Sequence, residues 1–198
     1  ANGEGSRMKA ISPKPKHLLY YSGKRIIEHI IEALQPFGDV HVYGQDYTGI
    51  PLGMWIECGP TPNRKEHLRQ LISIMKTNVL IVDCDVIPVF AAESFVDPTP
   101  KIRRNFDAMV ELQKDAIWYF DSDNPKYGGL AADENWCLAS AKERGHSQKY
   151  RASGLYFLKD VGATVDRMTD PNSIASGMIG AKMIFENTFI RVGDPEDY

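Results

Sequence analysis

The residues best equipped for chemistry gather at the start of the chain, in Asn2-Gly3-Glu4-Gly5-Ser6-Arg7 and in the basic arm that continues through Pro13, Lys14, Pro15 and Lys16. Glycine at 3 and 5 lets the backbone take positive φ and approach a ligand with no Cβ in the way, so successive N–H groups can converge on an anion. Ser6 adds a hydroxyl donor, and Arg7 adds a planar fork that matches phosphate oxygens in pairs. From residue 1 to 25 six Lys or Arg stand against one acid, Glu4, in a chain of net charge -3. A local excess of this kind attracts polyanions. The pattern reads as a triphosphate cradle, with an ordinary glycine turn and a solvated basic face as the alternative. It is not a dinucleotide fingerprint, which needs a third glycine, nor a P-loop, which needs Gly-Lys-Ser/Thr.

A second group is Asp83-Cys84-Asp85, directly after the apolar run Val79 to Val82. That run predicts a buried, parallel strand, and such strands present ligands at their carboxyl ends. Two carboxylates at i and i+2 crowd negative charge, which a cation beside them relieves. Oxygen ligands next to phosphates suit Mg²⁺, so the pair Asp83 and Asp85 is an expected place for that ion. A strand-end turn with two solvated acids is the alternative.

The elements that must carry these groups are legible from periodicity. Ile26, Ile27, Ile30, Ile31 and Leu34 have the spacing of one buried helix face over 22–34, ended by Pro36 and Gly38. His29 on that helix reads as an ordinary surface histidine. Residues 40–43 predict a short strand, and 45–63, rich in Gly and Pro, a loop. Helices are expected over 64–76 and 101–115, strands over 116–120 and 151–158, and a helix capped by Ser173 running toward Ile184.

At 198 residues, with 43% hydrophobic and 25% charged residues, the composition is that of an ordinary globular chain with one core. No apolar run approaches the ~20 residues needed to span a bilayer, and no apolar signal segment opens the chain. Cys58, Cys84 and Cys137 are odd in number and lack a CxxC spacing, which favours reduced thiols and a cytoplasmic location over disulfides or zinc. A strand normally precedes a nucleotide-binding glycine turn. That first strand is expected to be missing from the chain as given.

Read together, Gly3-Glu4-Gly5-Ser6-Arg7-Met8, Pro15-Lys16-x-Leu18-Leu19 and Gly23-Lys24-x-Ile26-Ile27-Glu28-His29-Ile30-Ile31 resemble the opening of the sugar-phosphate nucleotidyltransferases, or nucleotide-sugar pyrophosphorylases. The ending Arg191-Val-Gly193-Asp194-Pro195-Glu196-Asp197-Tyr198 is similar to that family's Asp-x-Gly-Thr-Pro-Glu-Asp-Tyr, so the likeness spans the whole chain. The resemblance implies a nucleotide-diphospho-sugar transferase-like α/β fold over 1–198, a single domain with a mostly parallel twisted sheet flanked by helices. It implies nucleotidyl transfer from a nucleoside triphosphate to a phosphorylated acceptor, a sugar 1-phosphate in the first instance, with pyrophosphate released.

By the same resemblance Arg7 and Lys16 bear on the reacting phosphates, Asp85 matches the aspartate that binds Mg²⁺, and Asp83 is its auxiliary. Asn2, Gly3, Gly5, Ser6, Thr61, Asn63 and Asp83 would line the nucleotide. Asn63 equally reads as a helix cap. The acceptor side would be Gly128, Glu143, Arg144, Ser153, Gly154 and Arg191. Arg144 replaces a family lysine, Gly145 a proline and Ser153 an alanine, while Arg191 stands where a second metal-binding aspartate is usual. The expected partners are a triphosphate and a small phosphorylated molecule rather than nucleic acid or membrane, with homo-oligomerisation left open. Two rival readings are a nucleotide-binding regulatory relative without catalysis and a metal-dependent glycosyltransferase of similar fold.

Overall fold

The computed structural model describes residues 14–44, 49, 54–57, 61–89, 101–124, 127–142, 148–185 and 189–192. The expected glycine turn at 2–7, Glu143, Arg144, Gly145 and Asp194 lie outside these. In chain order the elements begin with β1 (Tyr20–Tyr21), β2 (Lys24–Arg25), α1 (Ile26–Leu34), β3 (Val42–Gly44), β4 (Trp55–Glu57), α2 (Arg64–Leu71), β5 (Thr77–Val82) and β6 (Val86–Pro88). They continue with α3 (Lys101–Leu112), β7 (Ala116–Asp121), β8 (Gly129–Ala132), β9 (Leu138–Lys142), β10 (Tyr150–Asp160), α4 (Val161–Arg167), β11 (Lys182–Phe185) and β12 (Phe189–Arg191). Two compact units result, one of Ala1–Pro60, Val82–Lys101 and Thr188–Tyr198, the other of Thr61–Ile81 and Ile102–Asn187.

In the first unit β1 and β2 form a hairpin whose turn residues, Ser22 and Gly23, both have positive φ (46° and 84°). That geometry matches the natural strand twist and explains the glycine. α1 starts where Glu28 Oε2 accepts from the Arg25 N–H at 2.8 Å, and it gives way at Pro36 to a tighter turn ending on Gly38, φ 147°. The helix serves two clusters: Ile26 and Ile30 pack with Leu19, Ile87 and Val192, whereas Ile27 and Ile31 pack with Val42. β3 pairs in parallel with β4, a three-residue strand inside the stretch expected to be loop. Three residues among Gly and Pro give no readable period. β6 pairs antiparallel with β12.

The second unit is built on a six-stranded sheet in the order β11-β7-β10-β8-β9, with β5 also on β10. The α/β class is as expected, but the described pairings are mixed rather than mostly parallel. β11 runs parallel to β7, whereas β10 is antiparallel to both β7 and β8, and β8 is antiparallel to β9. An apolar run indicates burial on both faces, not direction. Direction follows from connections, and the short link from β8 to β9 allows only an antiparallel pair. Val79 to Val82 is also only half-buried.

One sheet face, with Ile117, Tyr156 and Leu158, is covered by Leu68 of α2 and by Val161 and Val165 of α4. Phe106 of α3 meets Phe157 edge-on at 5.3 Å. α2 stops at Leu71, short of the expected 76, where the bonding tightens from i−4 to i−3: the Ile72 N–H donates to the Arg69 carbonyl and the Ile74 N–H to the Leu71 carbonyl. α4 has no counterpart among the expected helices. Its β-branched Val161, Thr164 and Val165 weaken any local helix signal, and its packing and the Asp160 cap on the Ala163 N–H (2.9 Å) supply what propensity does not.

The helix expected after Ser173 is instead a single tight turn, Ile174–Gly177, followed by β11. Close packing requires glycine at 177, where a Cβ would lie 2.4 Å from the Thr164 carbonyl oxygen. Gly180, at φ 88°, then redirects the chain. No described helix is long and apolar enough to cross a membrane. Cys84 and Cys137 are both outside any disulfide.

Candidate functional site

In the first unit the fold brings Lys16 to Asp85. Pro15 (φ -52°) leads into a turn in which the Leu18 N–H donates to the Pro15 carbonyl (2.9 Å) and the Leu19 N–H to the Lys16 carbonyl (3.1 Å). Across from it, the Val86 N–H donates to the Asp83 carbonyl (3.1 Å) and the Val192 N–H to the Asp85 carbonyl (3.0 Å), which pins the Asp83–Asp85 corner between β5 and β6. Lys16 Nζ donates to Asp85 Oδ2 at 2.8 Å, with the two side chains 13% and 31% exposed. Partial burial strengthens this pair over one in open water. The register of β6 with β12 sets Arg191 opposite Val86, one residue from Asp85. Arg191 is thus brought by its backbone to the corner where the two acids lie.

Whether this corner suits a divalent ion turns on its donors. Asp83 and Asp85 offer carboxylate oxygens, and among the described residues no cluster of three or more His, Cys, Asp or Glu could enclose a metal. A corner with one or two carboxylates fits Mg²⁺, which keeps waters and substrate phosphates as its other ligands and does not need a full protein cage. The Asp85 oxygen nearest Lys16 is already paired with a cation.

In the second unit Asn63 opens α2 as its cap, its side-chain oxygen accepting from the Glu66 N–H at 3.0 Å. The helix-capping alternative for Asn63 is therefore realised. Thr61 lies just before this cap. Further along α2, burial drives the His67 imidazole down to about 4, with the Arg64 guanidinium pushing the same way.

Ser153 and Gly154 lie where the pairing of β10 with β7 slips, between Ala152 and Tyr156. Gly154 takes φ 91°, a conformation that a side chain makes costly, and Ser153 is 1% exposed with its hydroxyl accepting from the Leu155 N–H (3.3 Å). Bulges of this kind aim side chains away from the regular pleat and are common beside active sites. Gly128 is joined to the same strand by the Ala152 N–H, which donates to its carbonyl at 3.1 Å. Gly128 is thus tied to β10 at Ala152, next to Ser153 and Gly154.

One buried residue of this strand was not among the expected site residues. Arg151 is 1% exposed, and its Nε donates to the Ser122 carbonyl (2.9 Å) and its Nη1 to the Tyr127 carbonyl (3.2 Å). It ties the segment after β7 to the start of β10. Gly129 sits directly against it: a Cβ there would be 3.1 Å from Arg151 Nη1 and 2.2 Å from Gln148 Oε1. The signal was present as a lone arginine opening the apolar strand Arg151 to Leu158.

No family model and no curated protein matches this chain. Solved structures do match over its whole length. A putative glucose-1-phosphate thymidylyltransferase from Bacillus anthracis, in complex with a sucrose, aligns with TM-score 0.75 at 14% identity, covering 100% of this chain and 89% of its own. A UTP-bound UDP-glucose pyrophosphorylase from Acinetobacter baumannii aligns with TM-score 0.73 at 11% identity, over 100% and 88%. HddC from Yersinia pseudotuberculosis, complexed with GMP-PN, aligns with TM-score 0.67 at 19% identity, over 100% and 93%. The likeness is one of fold: the chain has the nucleotidyltransferase-like α/β architecture of these proteins.

Proposed function

We propose that this protein transfers a nucleotidyl group from a nucleoside triphosphate to a phosphorylated acceptor, a sugar 1-phosphate being the first candidate, and releases pyrophosphate. The observation that carries the reading is the Lys16–Asp85 pair at 2.8 Å, in a fold shared with solved nucleotide-sugar pyrophosphorylases. An acceptor phosphate oxygen attacks the α-phosphorus in line and pyrophosphate departs, so catalysis consists mainly of positioning and charge neutralisation. Lys16, joined by Arg7, neutralises charge that develops on the phosphates. Asp85, with Asp83 beside it, is the holder assigned to Mg²⁺, which when bound supplies further positive charge to the phosphates. Gly3, Gly5, Ser6 and Thr61 are assigned to the nucleotide. Gly128, Glu143, Arg144, Ser153 and Gly154 are assigned to the acceptor, with Arg151 holding the Ser122 and Tyr127 carbonyls beside β10. No covalent nucleophile is required.

The test is a screen of the common triphosphates against sugar 1-phosphates and phosphorylated alcohols, reading pyrophosphate. Release with at least one pair is expected, and none with any pair overturns the reading. A second reading, a regulatory relative that binds nucleotide without turnover, is favoured by one observation, the register that sets Arg191 one residue from Asp85. If the enzyme is active, Arg191→Ala should lower turnover more than nucleotide affinity, and Arg191→Asp should move the Mg²⁺ dependence to lower concentration. Micromolar nucleotide binding with no turnover on any acceptor decides for the regulatory reading.

A further inference from the structure

Building on the assignment of Asp85 to a divalent cation, we infer that Lys16 is the built-in counter-ion of that carboxylate, and that the metal enters by exchanging with the Lys16 ammonium. Both backbones are fixed independently. Lys16 sits in a turn closed by two main-chain hydrogen bonds after Pro15, and the Asp85 corner is closed by two more, to Val86 and Val192. Only side chains are left to move, and a lysine stem with its rotatable donors moves easily. Lys16 Nζ lies 2.8 Å from Asp85 Oδ2, the distance of a direct charge-assisted bond. A divalent ion on the same carboxylate would stand a few ångströms from that ammonium, in a corner where Lys16 is 13% and Asp85 31% exposed, so water screens the repulsion only in part. The two cations therefore exclude each other.

The consequence is an ordered site. At rest the carboxylate is neutralised, and Lys16 is withheld from phosphate. When a divalent cation takes Asp85, Lys16 is released at the moment when a metal-bound triphosphate is there to receive it. Metal binding and the supply of a phosphate-binding lysine thus become one event.

The test is a titration of Mn²⁺ alone, without nucleotide, followed by the electron paramagnetic resonance of the free ion, on the full chain and on Lys16→Gln and Asp85→Asn. Removing the competing charge should tighten Mn²⁺ binding by about tenfold or more in Lys16→Gln, and adding Asp85→Asn should remove the site. A Lys16→Gln chain that binds Mn²⁺ no tighter than the wild type, or no Mn²⁺ binding by either over the millimolar range, overturns the inference.

A second measurement needs no variant: reductive methylation of Lys16, read by mass spectrometry, should speed up several-fold when Mg²⁺ is added to the wild type. An unchanged rate overturns the exchange. Exchange without pyrophosphate release in the screen above would overturn the proposed function and leave this inference standing. Turnover without exchange would do the reverse.

Discussion

The two units hold charged side chains in opposite ways. In the first, Lys16 and Asp85 meet as full opposite charges, partly open to water and supported by strands of two or three residues. In the second, Arg151 is shut away at 1% exposure, with main-chain carbonyls of Ser122 and Tyr127 among its partners, on an eleven-residue strand. A charge paired with a charge near solvent can be exchanged for another ion. An arginine inserted among carbonyls holds the chain in place, and little in solution competes for it. On the proposed function, the pair in the first unit is the one that exchanges, while the arginine of the second holds its own strands in place.

The largest expected effect tests the exchangeable side. Asp85→Asn should abolish turnover in the pyrophosphate assay, and Lys16→Ala should lower it by a factor on the order of 100, with the circular dichroism of both unchanged. Asp83→Asn should only weaken activity. If Asp83→Asn proves the more damaging, the metal assignment has the wrong residue.

On the rigid side, Arg151→Met should cost about 2–4 kcal/mol in urea unfolding, because buried carbonyls lose their donor. Arg151→Lys should recover part of that. A loss within experimental error for Arg151→Met would erase the contrast between the units. Gly154→Ala tests the bulge itself: at φ 91° a side chain is strained, so a loss of about 1–2 kcal/mol is expected by the same measurement.

The smallest effect is a pH slope from His67. Its folded pKa, about 4, lies below the ordinary value of 6.5, so the unfolded chain binds the proton first as pH falls. Stability is full above 6.5 and declines between 6.5 and 4. With the ring still partly open to water the decline is worth about 1 kcal/mol. His67→Phe should flatten the urea midpoint across that window, and an unchanged slope would remove His67 as its source.

The sequence alone determined what depends on neighbours along the chain. The isoleucine spacing of α1, the punctuation at Pro36 and Gly38, the cap at Asn63, the strands near 116–120 and 151–158, and the two acids closing β5 all rest on contacts within a few residues, where period and turn chemistry act. The tertiary structure decided the rest. Lys16 and Asp85 are 69 positions apart, and nothing local joins them. The Arg191 backbone reaches the Asp83–Asp85 corner through the β6–β12 ladder, and β4, at three residues, is too short to show a period. α4 is a helix because Val161 and Val165 find a sheet face to cover, against the preference of their branched side chains. Strand direction in the sheet of the second unit followed connectivity rather than hydrophobicity. A buried apolar strand looks the same from its sequence whichever way its neighbours run.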